Sequence, residues 1–360
     1  MTSKKVAKAT LQQLKELPNE GGSLKIGSDH IEVTHLDKPF WPKTRESRGY
    51  TKRELLAYYT NVSPYLLPHL KDRPVTVVRY PHGVTGLSFF QKHPQSEVPK
   101  FVKTFDMFSG DKESDFPFFL VENLQTILWF VQLGIVDFHP WYSRMNTSAP
   151  DAAKKPTKFT SSKENVRKSI LNYPDFMVFD LDPYIYSGKE KAHAEPERNK
   201  KSFEATREVA FKVYDVMKQL QLTPFVKLSG KTGIHIYTPI KRDVTYEETR
   251  EMAREIGNFI LQSDPKKITM EWSVPKRRGK IFFDFNQNSL GKTLASIYSV
   301  RAYKDATVSM PVSWKQLETV SPKDFTMANV PNILEKSGDA WADILTKKKD
   351  LRKLLSKKQK

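Results

Sequence analysis

The sequence contains no cysteine, and this absence excludes several kinds of site. Disulfide bridges, thiolate metal centres and thiol nucleophiles all require cysteine, so a bound metal would have to be held by carboxylates, histidine, carbonyl groups or water. Such ligands favour hard divalent cations, with magnesium and manganese the first to consider. The scattered histidines show no paired ligand spacing, and we predict no zinc site.

Long apolar runs are missing as well. No stretch approaches the roughly 18 apolar residues that a membrane-spanning helix needs, and the N-terminal residues MTSKKVAKAT lack the hydrophobic core of a secretion signal. We therefore expect a cytoplasmic protein with no membrane partner.

Acidic residues are outnumbered by basic ones. The 360 residues include 59 Lys and Arg against 41 Asp and Glu, a formal net charge of +18. Such an excess attracts polyanions with an affinity that falls as salt rises, which makes nucleic acid the first partner to consider. With 38% hydrophobic residues, the chain can still bury one large core or two smaller ones.

Helix and strand signals alternate between two Lys-rich ends. The order predicts an α/β (α+β) protein with an N-terminal module over 31–142 and a catalytic module over 175–330 around a shared cleft. Basic arms, mobile or marginally helical, are expected at 1–30 and 331–360, and a polar linker at 143–174.

Local signals within the modules are more specific. Thr51 followed by Glu54 is a capping-box pattern that predicts a helix from this point. In the second module, the apolar run Phe176–Leu181 predicts a buried strand, and further strands are predicted at 268–274, 281–285 and 294–303. A polar loop is expected at 186–201.

Two carboxylates follow the buried strand. Asp180 and Asp182 are two residues apart, so the period of a strand points both to one face, with Cα atoms roughly 6–7 Å apart. Paired acids of this kind bind the divalent cations that phosphoryl transfer requires. Asp284 is the best third acid, because it too is a lone carboxylate in an apolar strand, where an unpaired charge is costly. Taken alone, D-x-D is also typical of an acidic strand end leading into a turn at Pro183.

A second motif, SGKTGIH, lies between two predicted strands. Its glycines let backbone N–H groups approach a ligand, and Ser229, Lys231 and His235 offer donors to phosphate oxygens. The spacing is not that of a P-loop, and an ordinary hairpin turn is an equally good interpretation of the motif by itself. Downstream, Arg301 could clamp phosphate oxygens or pair with a carboxylate.

Taken together, DLDP, SGKTGIH and DFNQN with its downstream Arg and MPVSW resemble the polymerase domain of bacterial ligase D, in the archaeo-eukaryotic primase superfamily. The N-terminal half shows the same likeness in HLDKPFWP, TKRELLAYY, RPVTVVRYPHG and LSFFQKHP. The resemblance covers residues 31–320, and it implies an archaeo-eukaryotic primase-type catalytic core.

The resemblance implies roles at the catalytic end. Asp180, Asp182 and Asp284 would bind two metal ions, with manganese favoured over magnesium. Nucleoside triphosphates would be the substrates: Ser229 would lie near the sugar 2′-hydroxyl, with Lys231 and His235 also at the nucleotide and Arg301 at its phosphates. Polymerases of this family prefer ribonucleotides.

The resemblance also implies how DNA is held. Lys38 and Lys52 match lysines that grip the 5′-phosphate on the far side of a gap, and Phe89 or Phe90 matches an aromatic residue that stacks on the template base. Without the family, Lys52 would be a surface lysine in the first turn of a helix and the two phenylalanines would be core residues.

Several features depart from the family pattern. The segment KTRESR after Pro42 is longer than the usual loop, the polar stretches 143–173 and 186–201 are enlarged, and Gln287 stands where many relatives have arginine. Because 360 residues leave no room for a ligase or nuclease, we expect a stand-alone, nucleoid-associated prokaryotic polymerase, with DNA ligase and the end-binding protein Ku as partners in trans.

The function predicted from the sequence is therefore a template-directed nucleotidyl transferase that fills gaps and extends DNA ends in non-homologous end joining. A primase that starts chains without a primer is the alternative enzyme. A noncatalytic module that bridges DNA ends is the alternative outside enzymes, although it leaves three clustered acids without a purpose.

Overall fold

The protein is described from a computed structural model, which covers residues 3–45, 47–146, 155–184 and 199–353. The N-terminal half contains three helices and nine strands within these ranges. In chain order they are α1 Ser3–Glu16, β1 Gly21–Ile26, β2 Asp29–Thr34, β3 Pro39–Trp41, β4 Tyr50–Thr51, α2 Lys52–Leu70, β5 Val75–Arg79, β6 Phe89–Gln91, β7 Lys103–Ser109, β8 Ser114–Leu120, α3 Leu124–Gln132 and β9 Ile135–Pro140.

Helix α2 begins where the sequence predicts. The Thr51 hydroxyl accepts from the Glu54 amide at 3.3 Å, and the Glu54 carboxylate accepts from the Thr51 amide at 2.8 Å, which confirms the capping box. Strand β5 pairs with β6 on one side and β9 on the other, both antiparallel. This three-stranded sheet carries the residues that face the catalytic module.

Residues 3–30, predicted as a mobile or marginally helical arm, form a helix and a hairpin that pack on the N-terminal module. Helix α1 and the β1–β2 hairpin bury Leu14, Leu24 and Ile26 in the main hydrophobic core. The Arg53 guanidinium of α2 donates to the Leu17 carbonyl at 2.9 Å and ties the helix end to the module. Burial of these apolar side chains outweighs the local excess of lysine.

The second half is built around one larger sheet. Its elements are α4 Lys163–Lys168, β10 Phe176–Tyr184, α5 Lys200–Gln219, β11 Phe225–Leu228, β12 Ile234–Pro239, α6 Tyr246–Ser263, β13 Ile268–Thr269, β14 Lys280–Asp284, β15 Pro311–Val312, α7 Trp314–Leu317 and α8 Val330–Ser337. The six strands run in the order β13-β14-β10-β12-β11-β15, antiparallel except for the β13–β14 pair. Helices α5 and α6 both pack against central strand β10.

Two predicted strands differ from the structure. Strand β13 is limited to Ile268–Thr269, and residues 294–303 form no strand beyond a single bridge between Val300 and Val308. Tyr298 adopts a left-handed φ of 61°, with its carbonyl accepting from the Tyr58 hydroxyl at 2.8 Å. This conformation interrupts the extended run.

The expected C-terminal arm is wrong for residues 331–353. Helix α8 and the segment after it bury Trp341, Ile344 and Leu351 in the core. Lys348 forms a 2.9 Å ion pair with Asp175, a buried carboxylate that also pairs with Arg73 at 2.8 Å. Apolar side chains spaced among the lysines therefore fold this segment back on the catalytic module.

The predicted linker and loop are only partly described. The described part of 143–174 contains α4 and a short 3₁₀ turn, so it is not uniformly irregular. Most of the predicted loop 186–201 lies outside the described residues, and the module boundaries stay a prediction. In the parts of the chain that the structure describes, no helix combines the length and apolar character needed to cross a membrane.

Candidate active site

Four polar side chains stand in register across the larger sheet. Antiparallel pairing places Lys227 of β11 opposite His235 of β12, His235 opposite Asp180 of β10, and Asp180 opposite Asp284 of β14. Residues that lie directly opposite each other have Cβ atoms about 4.5–5.5 Å apart. The sheet thus brings together the two lone acids that the sequence singled out on separate strands.

The Asp180 and Asp284 carboxylates lie close enough for their charges to interact. Burial, chiefly, raises the pKa of each to about 6, and the Asp180 charge adds to the shift of Asp284. The Gln287 amide nitrogen donates to an oxygen of each acid, at 3.4 Å for Asp180 and 3.1 Å for Asp284. Two like charges held together in this way favour a cation between them.

Asp182 completes the acidic group. Desolvation raises its pKa well above the usual range, and the charges of Asp180 and Asp284 raise it further. The carboxylate is in close approach to Gly233: a Cβ atom at that position would be 2.4 Å from the Asp182 Oδ1 atom and 2.6 Å from the Leu181 carbonyl oxygen. Only glycine fits here, so the SGKTG loop and the DLD strand are shaped for each other.

The SGKTG segment is a tight turn between β11 and β12. The Ser229 hydroxyl accepts from the amides of Lys231 at 3.2 Å and Gly233 at 3.0 Å, so it first holds the loop in place. Gly230 has a φ of 79° and packs against Arg301. The hairpin interpretation of this motif is therefore confirmed, and its role in nucleotide binding stays a prediction.

His235 is buried next to Asp180. Its Nε2 atom lies 3.2 Å from the Asp180 Oδ1 atom, and its Nδ1 atom has no hydrogen-bond partner among the described residues. Burial lowers the pKa of His235 well below its usual range, and the charges of Lys227 and Arg301 lower it further. The imidazole is therefore neutral at pH 7, where it acts through hydrogen bonds rather than charge.

Arg301 is anchored from the N-terminal module. Its Nε atom lies 3.0 Å from the Oδ1 atom of Asp137, a buried residue of β9, and its Nη1 atom donates to the Ser229 carbonyl at 3.0 Å. Burial raises the pKa of Asp137, an effect that the Arg301 charge opposes. The guanidinium is thereby fixed where the two modules meet.

A cavity of about 270 Å³ opens over this end of the sheet. Six of the seven residues predicted for metal and nucleotide binding line it, namely Asp180, Asp182, Ser229, Lys231, His235 and Arg301. Asp284, 6% exposed, lies outside the lining. One concave site therefore unites three motifs that are far apart in the sequence.

Sequence reasoning missed several residues of the site. His139 and Arg277 also line the cavity, while Asp137 and the buried Lys227 stand behind it. In DFHP, Asp137 and His139 are two apart on β9 and so share one face, a signal that the sequence did contain. Lys227 donates to the Ala295 carbonyl at 2.9 Å and to the Ser309 hydroxyl at 2.6 Å.

Lys38 and Lys52 lie together, away from this cavity. The Lys52 ammonium donates to the Thr34 carbonyl at 2.8 Å, and that of Lys38 donates to the Pro81 carbonyl at 2.6 Å. Burial lowers the pKa of Lys52 to about 8, and the neighbouring Lys38 charge contributes. Neither ammonium has a carboxylate within ion-pair distance among the described residues, so their positive charges have no acidic partner there, and binding of a 5′-phosphate stays a prediction.

Phe89 and Phe90 are not core residues. Their exposed fractions are 38% and 67%, and the Phe90 ring meets the edge of His139 at a centroid distance of 5.7 Å. Because His139 lines the cavity, the exposed aromatic pair stands at its border. Exposed rings of this kind are suited to stacking on bases.

Comparison with known proteins identifies the family. Residues 51–341 match the family described as LigD, primase-polymerase domain. The chain belongs to this family. Among curated relatives it is 29% identical to the bifunctional non-homologous end joining protein LigD of Bacillus subtilis, over 89% of this chain and 45% of that protein. It is 25% identical to the multifunctional LigD of Mycolicibacterium smegmatis, over 88% and 36% of the two chains.

The chain thus spans less than half the length of these LigD relatives. Among solved structures, the polymerase domain from Mycobacterium tuberculosis ligase D in complex with DNA matches with a TM-score of 0.71 and 24% identity, over 89% of this chain and 99% of that one. This likeness confirms the predicted primase-type fold of mixed helices and sheets.

The LigD primase-polymerase fold implies divalent metal ions, and the donor set here agrees with them in chemistry. All three acids offer hard oxygen ligands, and within the described part of the chain the buried Asp180 Oδ1 atom accepts no hydrogen bond, although the His235 Nε2 atom approaches it to 3.2 Å. In the same part, no three His, Cys, Asp or Glu side chains already surround one point as metal ligands. The acids therefore fit a cation by charge and ligand type, and their role as metal ligands stays a prediction.

Proposed function

We propose that the chain is a template-directed nucleotidyl transferase that fills short gaps and extends DNA ends in non-homologous end joining. The observation that carries this proposal is that Asp284 lies opposite Asp180, which lines a cavity together with Arg301 and Lys231. Acids that need a cation thus adjoin cations that suit a triphosphate. Membership of the LigD primase-polymerase family supports the same chemistry.

Each group has a role in the transfer. Arg301, Lys231 and the neutral His235 bind triphosphate oxygens, while Ser229 keeps the loop in place beside the sugar. Asp180, Asp182 and Asp284 would hold two manganese or magnesium ions, which when bound supply charge stabilisation for the attacking and leaving oxygens. The primer 3′-hydroxyl gives its proton to water and its oxygen attacks the α-phosphorus in line, so the new phosphodiester bond forms as the bond from the α-phosphorus to the bridging oxygen breaks and pyrophosphate leaves.

A second part of the proposal concerns DNA. The Lys38–Lys52 pair binds the 5′-phosphate across the gap, and Phe89 or Phe90 stacks on a template base. Ribonucleotides are the preferred substrates. A DNA ligase and the end-binding protein Ku act with this domain at broken DNA ends. The domain works in the cytoplasm, at the nucleoid.

Single-nucleotide extension of a gapped primer with Mn²⁺ tests the proposal. Substrates with a downstream 5′-phosphate or 5′-hydroxyl are compared, each with ribo- and deoxynucleotides. Faster templated addition of ribonucleotides that depends on the phosphate is expected. Equal extension with a 5′-phosphate and a 5′-hydroxyl would contradict the assigned role of Lys38 and Lys52. Product formed from template and nucleotides without a primer would favour a primase. No incorporation under any condition would leave DNA-end bridging as the function.

A further inference from the structure

A second cavity, of about 470 Å³, adjoins the nucleotide cavity. Its walls come from both modules: Trp41, Arg45 and Thr85 from the N-terminal one and Tyr303 and Lys304 from the catalytic one. Tyr303 lines both cavities. The second cavity is therefore next to the site of synthesis, and the size suits a nucleotide.

The N-terminal wall of this cavity is close in the chain to Lys38 of the Lys38–Lys52 pair. Lys38 immediately precedes β3 and is three residues before Trp41, a span on the order of 10 Å in extended backbone. The Val84 amide donates to the Phe40 carbonyl at 2.9 Å, which joins the segments around residues 40 and 84 into one wall. The Trp41 Nε1 atom donates to the Tyr303 carbonyl at 3.0 Å and connects that wall to the catalytic module. The cavity thus shares Tyr303 with the nucleotide site and is walled by the segment that follows Lys38.

The lining suits an unpaired nucleotide. Arg45 and Lys304 are exposed at the cavity, and neither forms an ion pair with a carboxylate that the structure describes. Tyr303 contributes an aromatic ring. Asp305 and Ala306 have left-handed φ values of 63° and 48°, so the loop after Tyr303 is held in a costly conformation, as is common where a binding site must be shaped.

We propose that this cavity holds unpaired template nucleotides when the gap is longer than one nucleotide. The inference rests on the proposed gap-filling function. The nucleotide site and the 5′-phosphate site are fixed on one folded chain, so a longer gap leaves extra template nucleotides between them. Arg45 and Lys304 bind their phosphates, and Tyr303 contacts a base.

The test compares kcat/KM for the first addition in a three-nucleotide gap with that in a one-nucleotide gap. In the variant Arg45→Ala with Lys304→Ala, the three-to-one ratio is expected to fall about tenfold relative to the unchanged protein. The matched control, Lys43→Ala with Lys315→Ala, removes the same charge from exposed positions outside the cavity and should keep the ratio. Equal ratios in all three proteins would overturn the proposal.

A second variant fills the cavity. Thr85→Phe places a ring in the space and should lower the same ratio, while abasic sites at the extra template positions should lower it in the unchanged protein and have less effect in the Thr85→Phe protein. If neither Thr85→Phe nor the abasic sites change the three-to-one ratio of kcat/KM, base binding in this cavity is excluded. Failure of the underlying function is distinguishable, because the unchanged protein would then not extend even the one-nucleotide gap.

Discussion

Asp180 and Asp284 lie directly opposite each other on neighbouring strands, with the Gln287 side chain hydrogen-bonded to both. Like charges at such positions destabilise a sheet. Since burial raises the pKa of both acids, the folded chain without metal holds their protons more tightly than the unfolded chain does. The arrangement costs stability that a bound cation would restore.

The variant Asp284→Asn tests this cost. A carboxyl with a folded-state pKa of about 6, above its ordinary value, destabilises the fold increasingly as pH rises toward 6 and fully above it. Removing the charge should therefore raise the melting temperature in EDTA at pH 7.5 by roughly 2–5 °C. Primer extension should fall by about a thousandfold or more.

The same melting experiment with added Mn²⁺ supplies the control. The unchanged protein should gain stability from the metal, whereas Asp284→Asn should gain little. A variant that melts lower than the unchanged protein in EDTA would show that Asp284 stabilises the metal-free fold, contrary to the argument from charge.

Metal affinity should depend on pH. Cations bind the deprotonated acids, so Mn²⁺ must displace protons from Asp180 and Asp284 once the pH falls below about 6. Between pH 6 and 5 the affinity should drop by about tenfold to a hundredfold. Titration calorimetry across pH 5–8 measures this, and a flat profile would mean that these acids are not the ligands.

Gly233→Ala should disable the site through a single methyl group. The added Cβ atom would meet the Asp182 carboxylate at 2.4 Å, so the acid or the loop must move. We expect primer extension to fall by about a hundredfold or more, since small displacements of positioned groups have effects of this size. Gly110→Ala is the control, because a Cβ atom there has no neighbour within 4 Å. Equal activity of the two variants would exclude a strict requirement for the Asp182 position.

The grouping of the acids could be predicted because the motifs lie at the ends of strands. The two-residue spacing of Asp180 and Asp182 shows that both side chains point to one face of the sheet. The apolar run around Asp284 indicates that its strand is buried. Pairing of Arg301 with a carboxylate is one of its two predicted interpretations, and the structure shows such a pair. The partner, Asp137, could not be predicted, because the contact joins residues on different modules and neither residue has a local signal for the other. Tertiary contacts of this kind leave no periodic pattern.

The ends of the chain show a different limit. The excess of lysine predicts arms that are mobile or marginally helical, yet Leu24 and Trp341 are buried. A few apolar side chains among many lysines are enough to pack a segment onto an existing core. The average composition of the segment does not reveal these few positions. The strand predicted at 294–303 does not form for a different reason. Its residues favour a strand, but Tyr298 has a left-handed φ that interrupts the extended backbone.

Recognition of the 5′-phosphate should weaken in mild alkali. Lys52 has a pKa of about 8 in the free protein, and phosphate binding favours its charged form. The preference for 5′-phosphate over 5′-hydroxyl gapped DNA should therefore decline as pH rises from 7 to 9, by up to about tenfold per unit above 8. Fluorescence anisotropy without metal measures it. Lys52→Arg keeps its charge and should flatten the profile; an identical decline in that variant would assign the effect to another group.

Asp137→Asn should act on nucleotide binding through Arg301. The substitution preserves size but removes the charge that holds the Arg301 Nε atom at 3.0 Å. The guanidinium then loses its fixed orientation, so KM for the nucleotide should rise by about tenfold, with a smaller fall in kcat. Arg301→Lys should raise KM too, and Asp137→Asn should add little to it, because both changes disrupt one unit. Independent, multiplying effects of the two substitutions would mean that Asp137 does not work through Arg301.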